Sequence, residues 1–207
     1  MKPLLICDCD EVLLHMARHF GAWVDEAHDM DFSWADGEFT KMLTRRDGAD
    51  VTQEDMWALI DGFFPAQMHR QTLVPHARES LAVLAELADI VILTNLQDKC
   101  RAPRAAQLEA FGIVHRIETN QGGKGHPVAR LMAEHNPSVA VFVDDIARHH
   151  QSVAELAPAV HRLHIVSEPA LAAHVPPAPA AHARIDDWRD AREWIAARFA
   201  EGRAANG

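Results

Sequence analysis

Residues 3–13, Pro3-Leu4-Leu5-Ile6-Cys7-Asp8-Cys9-Asp10-Glu11-Val12-Leu13, carry an apolar run that stops on two carboxylates one residue apart. A short continuous apolar run of this kind reads as a parallel strand buried on both faces, with polar chemistry at its C-terminal end. In open α/β sheets, ligands bind at that edge. Asp8 and Asp10 placed there together repel each other unless a cation or a shared proton relieves them. The stretch therefore predicts both a sheet and a metal-assisted site with these two acids at its centre.

The pattern recurs twice. Ile90-Val91-Ile92-Leu93 stops at Thr94-Asn95, and Val139-Ala140-Val141-Phe142-Val143 stops at Asp144-Asp145. Helical periodicity fills 77–88 and 101–111, the latter closed by Gly112, and a short strand is expected at 115–118. Gly122-Gly123-Lys124-Gly125 opens a helix whose first turn suits Pro127. A helix through Leu156, a strand at 161–166, a Pro- and Ala-rich loop at 167–182, a strand at 183–185 and an amphipathic helix (Trp188, Ala191, Ile195, Phe199) complete the chain. Alternation of this kind predicts an α/β fold, a doubly wound and mostly parallel sheet. If the three apolar runs are parallel, Asp8, Asp10, Thr94, Asn95, Asp144 and Asp145 meet at one edge, with Lys124 beside them.

The stretch 15–72 reads differently. Leu13, Met16, Phe20, Trp23, Val24 and Ala27 share one helical face. Thr52 is placed to cap a second helix, with Asp55 at the capping-box position and Val51 and Met56 as a staple. That helix is expected to bury Met56, Ile60 and Phe63 and to end before Pro65. Phe20, Trp23, Phe32, Trp34, Phe39, Trp57, Phe63 and Phe64 are eight of the chain's thirteen Phe and Trp residues. They are expected to form the core of a small helical unit rather than to line a pocket. The division is thus 1–14 with 73–207 as one domain and 15–72 as another.

A formal net charge of −10 over 207 residues excludes nucleic acid and anionic membrane as principal partners. An anionic substrate then needs local positive charge, and Lys is scarce: Lys2, Lys41, Lys99 and Lys124 are all there are. Cys7, Cys9 and Cys100 form neither a disulfide framework nor a zinc pattern, so reduced thiols in a soluble cytoplasmic protein are expected. No stretch has the composition of a membrane span or signal peptide. The fourteen histidines, including His149-His150 and His161/His164, are dispersed and expected to be solvated or satisfied locally rather than to hold a metal.

With these residues in this order, the chain resembles the haloacid dehalogenase superfamily in its phosphatase branch. The motifs are Asp8-Cys9-Asp10, Thr94, Lys124 and Asp144-Asp145. The resemblance covers residues 1–14 and 75–200, and 15–72 takes the place of that family's helical cap. It implies Asp8 as nucleophile, forming an aspartyl-phosphate, and Asp10 as the general acid and then base. It implies Mg²⁺ held by Asp8, the backbone carbonyl of Asp10 and Asp144. Thr94, Asn95 and Lys124 would bind phosphate oxygens, and Asp145 would support Lys124 or a metal-bound water. The chain departs from the motif at Glu11, where many relatives carry the conformationally freer Gly. The implied substrate is a small phosphorylated metabolite; no oligomeric state is implied. A phosphomutase would use the same residues, and a metal-independent dehalogenase would have no use for Asp10. Phosphonate cleavage would need an amine such as that of Lys41, and a catalytically weak binding or regulatory module is the remaining alternative.

Overall fold

A computed structural model describes residues 1–34 and 42–205; Phe39 and Lys41 lie outside the described residues. In chain order, the elements up to the second large strand are β1 (Leu4–Cys7), β2 (Leu14–His15), α1 (Ala17–His28), β3 (Met30–Phe32), β4 (Leu43–Arg45), α2 (Gln53–Gln67), β5 (Thr72–Leu73), α3 (Ala77–Leu87) and β6 (Asp89–Thr94). Then come α4 (Arg101–Ala110), β7 (Arg116–Thr119), α5 (Gly125–His135), β8 (Ala140–Asp144) and α6 (Ala147–Leu156). β9 (His161–His164), α7 (Pro169–Ala172), β10 (Ala183–Arg184) and α8 (Trp188–Glu201) follow.

Six strands form one sheet in the order β10-β9-β8-β1-β6-β7, and every pairing in it is parallel. Its central strand is β1, and the alternation of its side chains explains the unbroken apolar run. Leu4 and Ile6 pack on one face with Val128 and Leu131 of α5 and Val153 of α6. Leu5 and Cys7 pack on the other with Leu81 and Leu84 of α3 and Ala191 and Ile195 of α8. Each of Leu4, Leu5 and Ile6 is fully buried, stabilising the fold by roughly 1.5–3 kcal/mol apiece. Trp188, at the start of α8, donates from Nε1 to the Val12 carbonyl at 2.7 Å and so pins the turn that follows Asp10.

Between β1 and β6, the described residues 16–71 add no strand to this sheet. The chain leaves and re-enters through an antiparallel pair, β2 with β5, in the register Leu14↔Leu73 and His15↔Thr72. Within the segment, Phe20 and Phe63 meet edge to face with centroids 5.5 Å apart, and Trp23 lies 5.7 Å from Phe63. Met56, Leu59, Phe64 and Met68 join them, and so do Leu96 and Cys100 from the loop after β6. The expected aromatic core therefore holds for Phe20, Trp23, Phe63 and Phe64. Phe32 meets Phe20 edge to face at 6.3 Å and packs against this core as well as against Met42, Val166 and Leu171; Trp34 packs with the latter group, and Trp57 is exposed.

The Thr52–Asp55 capping box forms as expected, the Thr52 hydroxyl accepting from Asp55 N at 3.1 Å and the Asp55 carboxylate from Thr52 N at 3.0 Å. Three expectations are corrected. The helix does not end before Pro65 but runs through it to Gln67. Proline there deprives only the exposed Asp61 carbonyl of its partner, one turn from the helix end. The first helix starts at Ala17 rather than Leu13, because residues 11–14 turn back on Cys9, whose carbonyl accepts from the N–H groups of Leu13 and Leu14. The loop 167–182 contains a short helix, α7, capped by the Glu168 side chain. No helix among the described residues is long and apolar enough to cross a membrane, and all three cysteines are free and buried.

Candidate functional site

Because Cys7 pairs with both Ile92 and Val143, the ends of β1, β6 and β8 are level. Asp8 and Asp144 consequently stand side by side at the carboxyl edge, with Thr94 one residue further along β6. Lys124 reaches them from just before α5, fully buried. Its ammonium lies 2.5 Å from Asp8 Oδ1 and 2.7 Å from Asp144 Oδ2. The close approach of α5 to α6 that aims Lys124 depends on Gly125: a Cβ there would sit 2.2 Å from the Ser152 carbonyl oxygen. Gly125→Ala is accordingly expected to cost about 2–3 kcal/mol and to lower the melting temperature by roughly 5–10 °C. A thermal melt matching wild type would contradict this packing.

The carboxylates of Asp8, Asp144 and Asp145 each offer an oxygen within 4.8 Å of the others. Three acids against one ammonium leave an excess of negative charge in a buried place. Burial pushes the Asp8 carboxyl up to about 6, with Lys124 opposing and Asp144 reinforcing. Asp145 is driven well above the usual carboxylate range by burial and by Asp144 and Asp8 beside it. Asp144 goes the other way: burial would raise it, but Lys124 and His149 outweigh that and hold it low. Lys124 stays protonated, since its two acids overcome the effect of burial. Asp145 Oδ1 is buried and has no hydrogen-bond partner among the described residues. Hard oxygen donors, excess negative charge and an orphaned carboxylate oxygen suit a divalent cation such as Mg²⁺.

Asp10 is not in this cluster by its side chain. Arg104, fully buried on α4, grips both of its oxygens at 2.9 and 3.1 Å. Gln71 Nε2 donates to Oδ1 at 2.7 Å, and the Thr94 hydroxyl lies 3.4 Å from Oδ2. Asn95 braces the edge: Nδ2 donates to the Gly122 carbonyl at 2.8 Å and lies 3.3 Å from His149 Nε2. With Nε2 accepting from Asn95, His149 carries its proton on Nδ1 and donates it to Asp144 Oδ1 at 2.9 Å.

His150 Nε2 donates to the Asp144 carbonyl at 3.0 Å, and His164 Nε2 to that of Asp145 at 2.8 Å. Burial pushes the His150 imidazole down to about 4, so it serves as a neutral donor at pH 7. Of the histidines expected to be solvated or satisfied locally, His149, His150 and His164 are thus buried braces of the acid pair, whereas His161 donates to the Arg203 carbonyl. Glu11 adopts the left-handed conformation (φ 60°) that favours glycine. Its carboxylate offsets that strain by accepting from Met16 N at 2.7 Å and Ala17 N at 2.6 Å, capping α1.

The roles of Arg104, Gln71, Glu11 and the three histidines escaped sequence reasoning. One signal was present for two of them: Arg104 shares a helix face with Leu108, and His149 with Val153. A polar residue on the buried stripe of an amphipathic helix needs a partner inside.

No family model and no curated protein matches the sequence. Solved structures do match the fold. A haloacid dehalogenase-like family hydrolase from Xanthomonas campestris superposes with a TM-score of 0.60 at 14% identity, covering 97% of both chains. The chain has the fold of the haloacid dehalogenase-like hydrolases. A hydrolase of the same description from Streptococcus pneumoniae gives a TM-score of 0.63 at 12% identity over 94% of this chain and 98% of that one. A protein described as a predicted phosphoglycolate phosphatase, from Haemophilus somnus 129pt, gives 0.63 at 15% identity over 93% and 97%. In this fold the six-stranded sheet persists at low identity because parallel strands ask only for buried apolar side chains.

Proposed function

We propose that the chain is a Mg²⁺-dependent phosphohydrolase of the haloacid dehalogenase superfamily, acting on a small organic phosphate through an aspartyl-phosphate on Asp8. The observation that carries this reading is the Asp8–Lys124–Asp144 arrangement at the carboxyl edge of the sheet, with Asp145 beside it. Asp8, the Asp10 backbone carbonyl, Asp144 and Asp145 would hold the ion. The unpartnered Oδ1 of Asp145 argues for a ligand role there, whereas both Asp144 oxygens already accept hydrogen bonds from Lys124, His149 and the Ile146 N–H. Bound Mg²⁺ would offset negative charge on the phosphoryl oxygens.

An Asp8 oxygen attacks phosphorus, the bond to the leaving oxygen breaks, and Asp10 gives that oxygen a proton. Water then attacks the phosphorus of the aspartyl-phosphate, Asp10 takes its proton, and the Asp8 carboxylate leaves as inorganic phosphate departs. Lys124, Thr94 and Asn95 bind the phosphoryl oxygens as charge gathers on them. An anion approaching an anion is repelled, and the buried ammonium of Lys124 is what this chain supplies against that. Residues 15–72 act as a cap over the site, supported by the contact of their core with Leu96 and Cys100.

Hydrolysis of p-nitrophenyl phosphate tests the reading. Turnover is expected with Mg²⁺, loss with excess chelator, recovery when Mg²⁺ returns, and a rise in melting temperature on adding Mg²⁺ to the metal-free protein. Turnover indifferent to chelation would overturn the metal-dependent mechanism.

A further inference from the structure

The geometry points to Arg104 as the positioning residue for Asp10, aligning its carboxyl for proton transfer to the leaving oxygen and tying that alignment to the return arm of residues 64–71; this rests on the phosphohydrolase reading. The guanidinium is fully buried and meets both Asp10 oxygens. One nitrogen, Nη2, bridges both carboxylate oxygens, and because the guanidinium is rigid and planar, holding its Nη1 elsewhere fixes where Nη2 presents itself to Asp10.

The guanidinium is itself fixed from the other side. Arg104 Nη1 donates to Gln107 Oε1 at 3.0 Å, and Gln107 Nε2 donates in turn to the Met68 carbonyl. The guanidinium carbon stands 5.7 Å from the centroid of the Phe64 ring. Gln71, on the same arm, donates to Asp10 Oδ1. Phe64, Met68 and Gln71 all belong to the stretch that closes the inserted segment, so seating that arm and orienting Asp10 are one event.

Stability alone is a poor reason for such a pair. Burying a carboxylate and a guanidinium gains little over a well-packed apolar pair, because desolvation cancels most of the attraction. A pair that holds the proton donor in one plane, clear of the three-acid cluster, has a use in the reaction. Arg104 hydrogen-bonds Asp10 and Gln107 and acts through Asp10.

The test compares kcat/KM for p-nitrophenyl phosphate with that for phenyl phosphate, whose leaving oxygen is more basic and depends more on a delivered proton. In Arg104→Gln the ratio is expected to widen by roughly 10-fold or more, since misplaced acid catalysis penalises the poorer leaving group. Arg104→Lys restores the charge without the second nitrogen that Gln107 holds and is expected to fall between wild type and Arg104→Gln. Should Arg104→Gln fail to fold, Gln107→Ala, which leaves the ion pair but frees the guanidinium from Met68, is expected to widen the ratio by a smaller factor. Equal losses on both substrates, or an unchanged ratio in the folded variants, overturn the positioning role and leave the phosphohydrolase standing. A wild type that hydrolyses neither ester overturns the phosphohydrolase reading, and this role falls with it.

Discussion

Asp8→Asn is expected to lower kcat by roughly 10⁴-fold or more while leaving the protein folded. The amide matches the carboxylate in shape, but its nitrogen cannot attack phosphorus and its oxygen carries no charge to do so. The fold tolerates the change because Lys124 keeps its second partner, Asp144, at 2.7 Å. Electrostatics favours the variant further. Burial pushes the Asp8 carboxyl up to about 6 in the folded protein, from an ordinary value of 3.8. The folded state therefore binds a proton between about pH 4 and pH 6 that the unfolded chain has already lost. Below that window the group is neutral in both states and costs nothing; above it, the ionised carboxylate weighs against folding. The metal-free variant should accordingly melt at or above the wild-type temperature at pH 7, and its advantage should vanish near pH 4. Scanning calorimetry beside steady-state hydrolysis of an aryl phosphate measures both. An Asp8→Asn protein that turns over at wild-type rate removes Asp8 from the nucleophile's place.

What the sequence disclosed and what it withheld follow from the range of the interactions. The runs at 4–7, 90–93 and 140–143 are legible because strands buried on both faces must be apolar throughout, whatever lies beside them. The acids after the first and last of them are legible for the same reason: a charge directly after a fully buried strand needs an explanation of its own. The Thr52–Asp55 box is written in four adjacent residues. Asp10 and Arg104, by contrast, are 94 residues apart, and no local pattern says which buried Arg meets which acid. Glu11 looked like a defect when weighed by backbone freedom alone. Its compensation, a carboxylate capping α1, depends on a turn that brings Met16 and Ala17 back over it. Pro65 misled because its cost falls on the last turn of an exposed helix end, where one lost hydrogen bond is readily absorbed.

Lys124→Met should be the most destabilising change at the site that preserves volume. Removing the ammonium leaves the buried Asp8 and Asp144 and the half-buried Asp145, each with an oxygen within 4.8 Å of the others, with His149 and backbone donors as their remaining support. Breaking a buried pair in this way costs about 3–5 kcal/mol, which in a chain of this size lowers the melting temperature by on the order of 10 °C. Because the Lys124 pKa is raised on folding, its stabilising effect is fully present below its unfolded value of 10.5 and is lost only above that. The deficit at pH 7 is thus the whole of it. Lowering the pH protonates Asp8 and Asp145, both already held above their usual range, so the deficit should shrink towards pH 5. Mg²⁺ should restore part of the melting temperature by supplying positive charge to the same acids. It should not restore turnover, because the phosphoryl oxygens have lost their ammonium. Melts at pH 7 and pH 5, with and without Mg²⁺, separate these effects, and a variant that melts with wild type at pH 7 would mean that the three acids do not share the charge of Lys124.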